Sequence, residues 1–346
     1  MKGFITPSVP FAERRIIVMA KGYSVPEWQV YYGVFFGETV RGQRAGQEVS
    51  LGKTFVWKGE EWQIPAVYLC GKGLVVDFLC KVSAKKVQSF IEKWQLNATE
   101  EENLNFTSEQ RLWLEQENPL TVDMHPDLSV NGTRLSVESS CGLCWNPCFP
   151  EKNGERAKIV VQHYQLDADA AWVVERRSFA WNTKRKPDIK TISVTLVAGK
   201  TAIPGPHFSV RAAGEQVEFV HPVTHVKHTL TIEKYESIHD VNLLHRQNDT
   251  MEYPCYLMAM GYTVQPVLSS EQLQILDCAE SDLPRSPQGV PGRWNNVSGF
   301  FVSFGEETAA LRSAVSSLHF EPVTRVAWRM VFYEQLKPDI TVELIS

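Results

Sequence analysis

The chain has 346 residues and a formal net charge of −5, from 35 basic and 40 acidic side chains. Both signs are interspersed and 43% of residues are hydrophobic, which excludes low-complexity disorder, collagen and coiled-coil arrays. The acidic balance lacks the basic excess needed to neutralise phosphates, so no nucleic-acid partner is expected; no apolar run approaches the roughly 20 residues of a membrane helix.

Length alone suggests about two domains. Near the start, Phe4 and Ile5 are soon broken by Pro7 and Pro10, which does not fit a signal peptide. Seven cysteines are an odd number and suit a reducing compartment. A soluble, cytoplasmic protein is therefore expected, and the Asn-x-Ser/Thr sequons at Asn97, Asn105, Asn131, Asn248 and Asn296 carry no weight.

Apolar residues at period two, bounded by turn residues, predict strands. The first are Ile16–Met19, Trp28–Phe36, Lys53–Trp57, Trp62–Leu69 and Leu74–Leu79. Ser83 then caps a helix near 84–95 in which Val87, Phe90, Ile91 and Trp94 share one face. Thr99 with Glu102 and Thr107 with Gln110 match capping boxes, placing further helix near 100–117. Pro119 ends that stretch, so the expectation is either a boundary between a β-rich subdomain over 1–118 and an antiparallel β domain over 119–346, or a bridge within one integrated unit.

Two hairpins can be set in register. Val130-Asn131-Gly132-Thr133 contains the Asn-Gly pair that suits a type I′ turn, which places Leu128, Val130, Leu135 and Val137 on one face. Pairing Val223 with Val226 joins Gln216–Pro222 to Lys227–Glu233, and puts Val217, Phe219 and His221 on one face with His228, Leu230 and Ile232. The other predicted strands are Lys158–Leu166, Trp172–Trp181, Thr191–Ala198, His207–Ala212, Pro254–Val264, Phe300–Phe304, Thr324–Phe332 and Ile340–Ile345. Met19–Val25 resembles Met258–Val264, although two copies do not make a periodic array.

Three groups of residues bear on chemistry. Cys141, Cys144 and Cys148 form C-x2-C-x3-C, read as a loop whose thiolates can converge on a structural zinc, with His163 the nearest fourth ligand along the chain. Three free thiols are the simpler reading, and Pro147 and Pro150 argue against a following helix that would activate a redox pair. His221, His225 and His228 form H-x3-H-x2-H, and the hairpin register sets His221 opposite His228, where two imidazoles can share a metal or a proton. Two hydrogen-bonded histidines closing an apolar hairpin face are the competing reading. The basic stretch Arg176, Arg177, Lys184, Arg185, Lys186 and Lys190 beside Trp181 reads as a solvated hairpin end.

Most tryptophans, Trp94 and Trp172 among them, read as core; Trp57 and Trp62 are expected to be neighbours across a hairpin. No P-loop, dinucleotide fingerprint or G-x-S-x-G elbow is present. The carboxylates near Asp167 and Asp169, and at Asp277, Glu280 and Asp282, read as solvated.

The expected fold is mainly β: antiparallel sandwich or barrel-like sheets with one or two short helices packed on them. The expected function is non-enzymatic binding or scaffolding of a protein or carbohydrate ligand, with no cofactor unless zinc occupies the cysteines or histidines. The rival is a hydrolase acting on a polar substrate such as a glycan. A third reading is assembly through sheet edges.

Overall fold

The structure is a computed structural model that describes residues 28–96, 106–239, 251–286 and 311–346. Among them the chain forms a mainly β fold of four antiparallel sheets with three short helices. The predicted strands Ile16–Met19 and Phe300–Phe304, the Thr99–Glu102 box and the Met19–Val25 copy lie outside the described residues.

The first sheet contains β1 (Gln47–Trp57), β2 (Glu60–Leu69), β3 (Gly73–Val82), β6 (Val137–Trp145) and β7 (Ala171–Ala180), in the order β1-β2-β3-β7-β6. The second contains β4 (Met124–Val130), β5 (Thr133–Arg134), β8 (Ile192–Ala198) and β16 (Ile340–Ile345), in the order β16-β8-β4-β5. Alternate residues of both sheets, including Trp62, Ile64, Phe78, Leu128, Val194 and Leu196, enclose one core. Helix α1 (Ala84–Trp94) adds Val87 to it, as the helical spacing predicts.

The second sandwich is built between β8 and β16 in the chain. Its strands are β9 (Thr201–Phe208), β10 (Gln216–Val220), β11 (Lys227–His239), β12 (Tyr256–Gln265), β13 (Leu273–Asp277), β14 (Arg312–Val315) and β15 (Trp328–Glu334). They form two sheets, in the orders β10-β11-β12-β14 and β13-β15-β9. Phe219, Leu230, Met260, Ile275, Trp328 and Phe332 form its core. The chain leaves the first sandwich after β8 and returns to it at β16. Residue 118 does not divide it, because β3 on one side pairs with β7 on the other.

Several local expectations meet the structure directly. Asn131 and Gly132 take φ of 49° and 76°, and Val130 pairs with Thr133. Leu128, Val130 and Leu135 are buried, but Val137 is exposed because the chain leaves for the first sheet there. Thr107 closes a complete capping box with Gln110 at the start of helix α2 (Ser108–Glu117). Trp57 and Trp62 meet edge to face, with ring centroids 5.4 Å apart.

Several elements differ from the sequence reading, and of the predicted strand His207–Ala212 only the first two residues are in a strand, at the end of β9. Trp28–Phe36 forms turns and no strand, and buries Val30, Tyr32 and Phe36 on the outer face of the first sheet. Lys158–Leu166 is mostly helical, within and just after α3 (Glu155–His163). Ala157, Val160 and Val161 satisfy a helical period that the strand reading passed over. Pro147 and Pro150 precede α3, and Pro150 begins a separate 3-10 turn, where a missing N–H is harmless.

The 216–233 hairpin is paired two residues away from the predicted register. Phe219 faces His228, and His221 bonds to Val226 through its N–H at 2.9 Å. Pro222 has no N–H to continue the ladder, and His225 turns the chain at φ 57°. A shift of two preserves the faces, so His221, Phe219, His228 and Leu230 are all buried.

Candidate functional site

The cysteine motif lies mainly on a strand. Cys141 and Cys144 are three apart on β6 and therefore point to opposite faces. The Cys141 Sγ faces the Val34 carbonyl at 3.9 Å, whereas the Cys148 Sγ faces the Ala84 carbonyl at 3.7 Å, across the sheet. Burial pushes the Cys141 thiol up to about 11 and raises Cys148 as well. His163 is elsewhere, stacked on Trp28 at 4.1 Å between centroids.

His221 and His228 lie on one buried face with ring centroids 6.2 Å apart. The His221 Nδ1 accepts from the N–H groups of Val223 and Thr224, so in the neutral ring the proton is on Nε2, 3.2 Å from Glu334 Oε1 but out of hydrogen-bond alignment. The His228 Nδ1 is 2.8 Å from the Pro266 carbonyl, which can only accept, so Nδ1 carries a proton. Both rings close the end of the second core, under Phe219 and Phe332.

Arg176 is not part of a solvated basic end. It is buried on β7, with Nε and Nη2 each 2.7 Å from a carboxylate oxygen of Asp77. Arg177 beside it pairs with Glu175 at 3.1 Å.

The residues that converge were not singled out as a site by the sequence. On β15, Trp328, Met330 and Phe332 enter the second core, so Arg329, Val331 and Tyr333 face the other way. The rung through Arg329 holds Leu276 of β13 and His207 of β9. Cys278 follows two residues after Leu276, and its N–H donates to the Ala327 carbonyl at 2.9 Å.

Helix α2 faces this side of the sheet and has no buried residue. Polar contacts hold it there. Glu280 accepts from the Ser108 N–H and from Arg111 Nη2, the latter at 2.7 Å, and Gln116 accepts from the Ala202 N–H at 3.2 Å. Glu109 approaches His207, with Oε1 and Nε2 3.3 Å apart. Glu280, read from the sequence as solvated, is thus the docking group for the helix. Asp277 accepts from the N–H groups of Ala279 and Ser317, and Asp282 from Phe320.

A cleft of about 830 Å³ opens between α2 and the β13, β14 and β15 segments, within the usual size of small-molecule sites. Leu112, Leu276, Leu318 and Tyr333 supply apolar walls, and Arg329 is among the lining residues. Arg329 is only 3% exposed, and among the described residues its buried Nε and Nη1 have no hydrogen-bond partner. Arg111 and Glu280 at the edge satisfy each other, while Glu115 and Asp277 add negative charge.

A second groove of about 460 Å³ beside α1 is lined by Lys86 and Glu117, which already pair with Glu60 and Lys93. Among the described residues, no helix is long and apolar enough to cross a membrane. Comparisons of the chain with family models, curated proteins and solved structures found no match.

Proposed function

We propose that this protein is a non-enzymatic binding protein whose ligand is a small monocarboxylate with an apolar body, held in the cleft beneath α2. The observation that carries this reading is Arg329, a buried guanidinium with two unpartnered donors facing a cleft. Guanidinium does not deprotonate in proteins, so burial cannot relieve it of its charge. An unpaired buried charge costs several kcal/mol, which the charge-assisted hydrogen bond of a carboxylate at one of these donors offsets. The apolar walls suit a hydrocarbon or aromatic body, and Glu115 and Asp277 disfavour a second negative charge. Binding in a reducing cytoplasmic setting is part of the proposal, on the odd cysteine count.

The test is calorimetry and thermal unfolding with hexanoate and benzoate, each compared with its neutral amide. The acids should bind and raise Tm, the amides should not, and Arg329→Met should abolish the difference. Equal responses to acid and amide, no response to either, or an unchanged response in the variant would overturn the reading. The hydrolase alternative, where it uses the His221/His228 pair, gains no support from histidines that are 0% and 3% exposed.

A further inference from the structure

We infer that Glu109, His207 and Cys278 form a site for one zinc-class divalent ion, which ties α2 to the β13–β15–β9 sheet. The three residues come from separate segments: the first turn of α2, the end of β9 and the residue after β13. Their ligand atoms all lie within 4.8 Å of one another. A tetrahedral ion with bonds of about 2.0–2.1 Å to nitrogen and oxygen separates such donors by about 3.3–3.4 Å. The Glu109 Oε1 and His207 Nε2 are 3.3 Å apart, so that pair already spans an edge of the polyhedron.

The donor chemistry narrows the ion. Magnesium and calcium take oxygen ligands, whereas a mixed carboxylate, imidazole and thiolate set suits zinc or cobalt(II). A carboxylate and a thiolate together balance the double charge, and three protein donors leave a four-coordinate ion one position for water. An independent observation points to a tie at this place. Helix α2 has no buried residue and reaches the sheet through polar contacts, and the Glu109–His207 pair is half open to solvent. An exposed ion pair of this kind contributes little to stability, whereas an ion held from both sides fastens the helix directly.

The test uses the full chain, freed of metal and titrated with cobalt(II) as the probe. The expected result is one cobalt per chain, with visible bands of a four-coordinate ion and a near-ultraviolet thiolate-to-cobalt charge-transfer band. Cys278→Ser should lose the charge-transfer band, and His207→Gln should weaken binding by more than about tenfold. His207 is exposed, so its variant keeps the inference testable if Cys278→Ser does not fold. Cys144→Ser and Cys148→Ser should leave the spectrum unchanged. No thiolate–cobalt band in the parent chain, or a band that survives Cys278→Ser or follows the other cysteines, would overturn the site. The inference does not depend on the carboxylate reading, because Arg329 is not a ligand and Arg329→Met should retain the cobalt spectrum.

Discussion

Arg176 and Arg329 are both almost inaccessible, at 2% and 3% exposure, and each lies on an interior strand of its sheet. Their surroundings differ in kind. Arg176 is bidentate to Asp77, lies 4.1 Å from the Phe36 ring centroid, and shares Asp77 with the Tyr164 hydroxyl at 2.7 Å. Tyr164 is in turn joined to Tyr68, and Tyr68 to Trp28 Nε1. Burial alone would lower the Arg176 pKa, but the charge and hydrogen bonds of Asp77 outweigh it and raise it further. This network is complete, and it fixes the 28–36 segment to the first sheet. Arg329 lines a cleft, and among the described residues its buried Nε and Nη1 have no hydrogen-bond partner. Equal burial therefore supports opposite readings: a closed network reads as structure, an open one as a receptor.

Arg176→Met should cost about 3–5 kcal/mol in urea unfolding, because Asp77 stays buried without its countercharge. The double variant Asp77→Leu with Arg176→Met should recover most of that loss; a double variant as unstable as the single would show that packing, and not charge, is the cause. Tyr164→Phe removes a hydrogen bond to the same carboxylate and should cost about 2 kcal/mol. Arg329→Met should change stability in the other direction, by about 1–3 kcal/mol without ligand, since it removes two buried donors that have no hydrogen-bond partner among the described residues. Destabilisation similar to Arg176→Met would mean that Arg329 is a structural residue after all.

The smallest effect is that of pH at the edge of the Arg176 network. Burial lowers the His163 pKa below its usual 6.5, against the opposing pull of Glu48 and Asp77. The unfolded chain therefore binds the proton more readily than the fold does. His163 costs nothing well above pH 6.5 and destabilises the fold increasingly as pH falls through that value. His163→Phe should flatten the decline in Tm below pH 6.5, and an unchanged slope would assign the decline to other groups.

Much of the local structure was legible in the sequence because its signals are short-range. Asn131-Gly132 specifies its turn, Thr107 and Gln110 specify a helix start, and Val87 and Ile91 specify an apolar face. The segment 158–166 has an apolar spacing that satisfies two periods, and only packing selects the helical one. The hairpin at 216–233 kept its faces but lost its register, because Pro222 altered the turn geometry that sets the pairing.

By itself, the sequence determined the antiparallel mainly β class, the alternation that separates core from surface, and the local turns and caps. The tertiary structure alone decided which distant residues share a face. Glu109, His207, Cys278 and Arg329 lie up to 220 positions apart (329 − 109), and meet through the ladders β13–β15–β9 and the placement of α2. Strand pairing joins residues across any separation, so no local spacing records it. Of the clusters that spacing did record, the pleat and the core separate Cys141 from Cys148 across the sheet and bury His221 and His228 at the end of the second core.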